Sequence, residues 1–175
     1  IDDSEEVVNS THLKNSRPVL EVIGKTEKQL RDKNKQNQKK LLENFFKWCS
    51  GIKNRDLICH NPQFDYGFLW FKADKYGLKL PFYHRCFDLH SIAQQKYAQL
   101  NGKFLIKEDT SDMGLRNLLN FVGMKDERGA HNALEDAKLE AECFFRIVYG
   151  KLLLPEFSKF KMPEYLKEGG TQKSN

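Results

Sequence analysis

"LICHNPQFDYGFL", residues 57–69, decides the fold, because a short apolar run from Leu57 to Cys59 ends in His60, Asn61 and, after Phe64, Asp65. A brief apolar run bounded by turn-forming residues reads as a buried strand. The stretch after it, "FDYGFLWFKADKYG", reads as a largely apolar helix that stops near Gly77. In an α/β fold the carboxyl end of a strand is where side chains meet a ligand, so His60, Asn61 and Asp65 stand where chemistry is expected.

Upstream, Thr26 reads as the N-cap of a short helix, and "NQKKLLENFFKWCSGI" places Leu41, Leu42, Phe45, Phe46 and Cys49 on one helical face. Downstream, Pro81 leads into a second strand, "FYHRCFDL", and a helix from about Leu89 to Leu100 follows. A polar loop with Gly102 and "KEDTS" then forms an exposed connection placed to contact a substrate. Ser111 or Asp112 caps "MGLRNLLNFVG", which Gly123 ends, and a long helix begins near His131 and ends at Gly150. This order indicates an α/β fold with the two strands parallel. Two strands are too few for a stable sheet, so either Val7 and Val8 begin a further strand or sheet partners lie outside this sequence. Residues 1–155 read as one domain, and residues 156–175, basic and then rich in Gly and Ser, as a flexible tail.

Composition narrows the function classes. Lys plus Arg number 29 against 24 Asp plus Glu, a net charge of +5 that suits a polyanionic partner without demanding one. The four cysteines are widely spaced with no C-x-x-C pair, which points away from a disulfide framework and toward a reducing, intracellular, cytoplasmic setting. No apolar run approaches the roughly 20 residues of a membrane span.

The second chemical constellation is "AHNALEDAKLEAE", with His131 and Asp136 where a loop passes into the last long helix. A histidine in the entering loop and an aspartate in the first turns can face one cleft. A hard cation such as Mg²⁺ takes carboxylate oxygens, and a near-neutral imidazole beside it can accept a proton from water. Asp65 offers a second carboxylate. The plainer alternative is that Asp65 and Asp136 are helix N-terminal acids and His131 a cap.

Together, "HNPQFD" and "HNALED" resemble the N-x-x-F-D and H-x-A-x-x-D motifs of the DEDDh branch of the DnaQ-like, or RNase T-like, 3′-5′ exonuclease superfamily. The resemblance runs from about Thr11 to Gly150, with "IGKTEKQL" and "CFDLHSIAQ" similar to two further family segments. It implies an RNase H-like fold, a mixed sheet flanked by helices, in which four carboxylates bind two Mg²⁺ or Mn²⁺ ions and a 3′-terminal phosphodiester is hydrolysed. It implies Asp65 and Asp136 as metal carboxylates, His131 as general base, and Asn61 and Phe64 as supporting motif residues. The implied partner is a single-stranded or frayed nucleic acid 3′ end, DNA in preference to RNA, with a polymerase or repair protein as possible company.

Two departures from the family pattern carry expectations. Nothing before Ile23 fits the family's first motif, D-x-E at the end of a strand; Asp3-Ser4-Glu5 has the spacing but no apolar strand before it. The domain is therefore expected to be N-terminally truncated, and these 175 residues alone to be nearly inactive. Lys25 stands where the family usually has Ile or Leu, and a lysine there can reach a phosphate. Tyr66, beside Asp65, is a candidate to stack on a base, whereas Phe68, Trp70 and Phe71 read as core. Asp88 reads as a helix cap, and Cys59 and Cys86 as apolar strand residues rather than zinc ligands. The rival reading is a catalytically inactive nucleic-acid-binding or protein-interaction module of the same fold.

Overall fold

The computed structural model describes residues 37–129 and 132–167, together with Thr26, Gln29 and Asn34. Val7, Val8, Lys25 and His131 lie outside the described residues, as do Asp3 and Glu5. Thr26 caps as expected: its hydroxyl accepts from the Gln29 N–H at 3.2 Å, and Gln29 Oε1 accepts from the Thr26 N–H at 2.8 Å, a reciprocal capping pair.

Helix α1 (Gln38–Ser50) starts at Asn37, whose side chain accepts from the backbone of Lys39 and Lys40. Leu42, Phe46 and Cys49 form its buried stripe, while Leu41, which the spacing placed with them, stays exposed. Helix α2 (Pro62–Tyr76) packs on α1 through Leu69, Ala73 and Tyr76, spaced i, i+4, i+7. Here the expectation of an aromatic core fails, because Phe68, Trp70 and Phe71 are exposed. A helix apolar on nearly every side buries only the stripe that meets a neighbour, and Leu69 and Ala73 hold that stripe.

Strands β1 (Leu57–Cys59) and β2 (Cys86–Asp88) pair in parallel, as expected, with Cys59 opposite Asp88. Both carboxyl ends therefore emerge on one edge. The strands are not buried as their apolar content suggested: Ile58 and Phe87 are exposed and their neighbours only half-buried, because alternate side chains of the pair point to opposite faces.

Helix α3 (Leu89–Asn101) is capped by Asp88, which accepts from the His90 N–H at 3.1 Å, and ends at Gly102. The expected "KEDTS" loop is a hairpin, β3 (Ile106–Lys107) with β4 (Thr110–Ser111), turned by Glu108 and Asp109 at φ 48° and 61°. Left-handed backbone at both turn positions matches strand twist, and an acidic pair was not an obvious signal for it. Helix α4 (Leu115–Phe121) starts at Gly114 rather than Ser111 or Asp112, since the Ser111 hydroxyl is already bonded to Gln94 and His90. Helix α5 (Ala133–Tyr149) is capped by Asn132, whose side chain accepts from Leu134 and Glu135.

The main core lies between α3, α4 and α5 around Leu89, Leu118, Leu119 and Cys143. The segment from Pro155 to Lys167, tail-like by composition, packs against it through two single-turn helices that bury Phe157 and Leu166. A buried ion pair fastens it there. Arg146 Nε donates to Glu142 Oε1 at 2.8 Å, and the other guanidinium donors bond the carbonyls of Val122, Phe157 and Phe160. Glu142 Oε2 accepts from the backbone of Leu153 and Leu154. Every polar arm of the pair thus has a partner, which makes burial of both charges tolerable.

Candidate metal and nucleic-acid site

The turn between β1 and α2 is built to aim Asp65. Asn61 adopts left-handed backbone at φ 65°, ψ 63°, a conformation asparagine tolerates better than most residues. Three bonds hold the turn: the Asn61 N–H donates to Asp88 Oδ1 at 3.3 Å, the His60 N–H to Glu140 Oε2 at 3.1 Å, and His60 Nε2 lies 2.8 Å from the Met113 carbonyl. Asp65 follows in the first turn of α2, where the helix dipole favours a negative charge.

Asp136 occupies the first turn of α5, and it lines the same cleft as Asp65, a space of about 600 Å³ with Ile58 and Cys59 on its wall. Glu140, one turn further along α5, lines it too. Beside Asp136 sits Arg128, which donates to Asp126 through Nε and Nη2 at 2.8 Å each and to Asp136 Oδ1 through Nη1 at 3.1 Å. One arginine thereby ties the loop before α5 to the candidate metal carboxylate.

The charges respond to these surroundings. Burial pushes the Glu140 carboxyl above its ordinary range; the His60 bond opposes this, and the negative charges of Asp65 and Asp136 add to it. Partial burial also raises Asp65. Hydrogen bonds from Arg128 hold Asp126 well below the usual carboxylate range, and Asp126 in turn raises Arg128. At Asp88 burial pushes upward, but bonds from Ser91, Asn61 and His90 outweigh it and leave the carboxyl lowered. The Cys59 thiol is pushed up to about 12 by burial and then by Asp65 and Glu140, so it stays protonated at neutral pH.

Carboxylate oxygens are the donors that hard divalent cations take. In kind, Asp65, Asp136 and Glu140 fit Mg²⁺ or Mn²⁺. Among the described residues no three acidic, histidine or cysteine side chains converge into a group that could hold a metal ion.

Of the residues singled out in the sequence, Asp65 and Asp136 are brought together, while Lys25 and His131 lie outside the described residues. Asn61 shapes the turn. Phe64, 79 % exposed, and half-buried Tyr66 do not line the cleft. Sequence reasoning missed Glu140 and Arg128. Glu140 had a signal, since it stands four residues after Asp136 and so on the same helix face. Arg128, in a loop, had none.

The fold agrees with the family to which the chain belongs. A family model described as Exonuclease, of the RNase T type, matches residues 2–144. The chain belongs to that family, within the DnaQ-like exonuclease superfamily, and its α/β architecture is that of an RNase H-like exonuclease domain. Searches of curated proteins and of solved structures returned no match. Membership makes this a nuclease domain whose substrate is nucleic acid, and no helix among the described residues is long and apolar enough to cross a membrane.

Proposed function

We propose that the protein is a 3′-5′ exonuclease of the DEDDh kind, removing nucleotides from single-stranded or frayed 3′ ends with two Mg²⁺ or Mn²⁺ ions. The observation that carries this reading is the shared cleft: Asp65 and Asp136, from helices far apart in sequence, present carboxylates to one space. Paired divalent ions, when bound, stabilise the attacking and leaving oxygens of an in-line displacement. Asp65 and Asp136 supply negative charge to hold them. His131, next to the α5 N-cap in sequence, serves as general base and accepts the proton of the attacking water. Asn61 fixes the turn that carries Asp65, and Phe64 and Tyr66 offer exposed or half-buried rings for the terminal bases. Lys25 reaches a phosphate. DNA is the preferred strand over RNA, the setting is cytoplasmic, and a polymerase or repair protein is the natural companion of such trimming.

The test incubates the full-length protein, since these 175 residues alone are expected to be nearly inactive, with a 5′-labelled DNA or RNA single strand in Mg²⁺, Mn²⁺ or EDTA. A metal-dependent ladder shortening from the 3′ end, lost in Asp65→Asn and in Asp136→Asn, is the expected result. Strand binding without hydrolysis would overturn the assignment in favour of a silent binding module. His131→Ala should lower turnover roughly a hundredfold and flatten the pH profile between about 6 and 8, as loss of a general base does. An unchanged pH profile would remove His131 from that role.

A further inference from the structure

Beyond Asp136 and Glu140 the surface opens into a polar channel of about 700 Å³ between the β3–β4 hairpin and α4, and its lining includes Lys107 and Arg116. We propose that this channel carries the sugar-phosphate backbone of a nucleic acid strand on the 5′ side of the bond being cut, with Lys107 and Arg116 each meeting a phosphate. The proposal rests on the exonuclease reading and adds to it the path of the strand.

Four observations converge on it. Lys107 is exposed and has no ion-pair partner among the described residues. Arg116 is 80 % exposed and approaches Asp126 only to 3.6 Å, beyond a good hydrogen bond, so among the described residues most of its donors are free for a phosphate fork. The hairpin that carries Lys107 is anchored at its base rather than loose. Buried Gln94 donates to the Leu105 carbonyl at 2.8 Å and accepts from the Leu105 N–H at 3.0 Å, while His90 Nε2 lies 2.7 Å from the Ser111 hydroxyl. An anchored hairpin spares the backbone ordering cost on binding, which favours a built contact over a chance one.

The fourth observation is that channel and cleft share acids but not cations. Asp136 and Glu140 line both spaces, whereas Lys107, on the hairpin, and Arg116, on α4, line the channel and not the cleft, as does Arg128, which is bonded to Asp136. Asp112 also lines the channel. A strand entering with its terminal linkage at the carboxylates would set its next phosphates against the cations, which is how backbone contacts fix register without reading sequence.

The experiment measures binding of a fluorescent 12-nucleotide oligothymidylate in EDTA, by anisotropy, from 50 to 200 mM salt. For a single strand, deleting one cation that meets a phosphate flattens the plot of log affinity against log salt by about 0.7. Lys107→Ala with Arg116→Ala should therefore flatten it by about 1.4 and weaken binding roughly tenfold at 50 mM salt. A comparison protein, Lys79→Ala with Lys161→Ala, makes the same change in net charge on exposed residues elsewhere and should leave the slope as in wild type. An unchanged slope in the first variant, an equal flattening in the second, or no salt-dependent binding by wild type would each overturn the channel. Because EDTA removes hydrolysis from the measurement, an altered slope beside a failed ladder assay overturns the nuclease reading alone. An unchanged slope beside a working nuclease overturns the channel alone.

Discussion

At Asp136 the Arg128 guanidinium, 3.1 Å away, already engages the carboxylate that the proposed divalent ion would need. Arg128 is itself held by Asp126, whose carboxyl is lowered chiefly by the bonds it accepts from that guanidinium. The unfolded chain therefore takes up the Asp126 proton more readily than the folded one. The stabilisation is complete above the ordinary carboxyl value of about 3.9 and fades as pH falls toward the lowered one. Asp126→Asn should melt below wild type at neutral pH, and the two should converge in acid; parallel melting curves at every pH would show that the pair adds no stability. Glu140 has the opposite sign, because burial raises it and its charge is a cost once ionised. Glu140→Gln, which keeps an oxygen for the His60 N–H, should be at least as stable as wild type at pH 7, with the difference shrinking below about pH 4. Glu140→Ala, leaving that N–H without its partner, should lose about 1–3 kcal/mol in chemical denaturation. Equal stability of the Gln and Ala variants would show that the bond does not hold the turn.

The elements that carry the site are fixed from outside it. Glu142 and Arg146, both fully buried, tie α5 to the chain that follows it. Removing one partner leaves the other as an uncompensated buried charge, so Glu142→Ala or Arg146→Ala should each cost about 3–5 kcal/mol by urea unfolding. A loss under about 1 kcal/mol would mean that water reaches the pair. Gly123 marks the same docking from the other side. At φ +79° a Cβ there would meet the Lys161 carbonyl at 2.6 Å and the Pro163 ring at 2.7 Å, so Gly123→Ala should lift the Pro155–Lys167 segment and expose Phe157 and Leu166. Faster proteolysis after Lys159 or Lys161 is the sign to look for, and unaltered cleavage would contradict the docking.

At the scale of the molecule, local patterns were the legible part. Strand order, the parallel pairing, Asp88 as a cap and the Asp65–Asp136 pairing all follow from apolar runs, turn residues and motif spacing. What escaped depends on neighbours. Which stripe of α2 is buried is set by α1, the Glu108–Asp109 turn by strand twist, and Arg128 by a loop geometry without periodicity. Tail-like composition likewise concealed the buried Phe157 and Leu166, because two apolar anchors in a basic segment leave no period to read.

The central claim is that Asp65 and Asp136 serve one divalent-metal centre, and Mn²⁺ binding followed by electron paramagnetic resonance tests it without relying on turnover. The full-length wild type should take up Mn²⁺ in competition with Mg²⁺, and Asp65→Asn and Asp136→Asn in it should each weaken uptake roughly tenfold or more, since each removes a charged oxygen ligand. Their combination should fall well short of the product of the two losses, because both variants disable the same centre. If both single variants bind Mn²⁺ as wild type does, or if their losses simply multiply, the two carboxylates do not share a metal site.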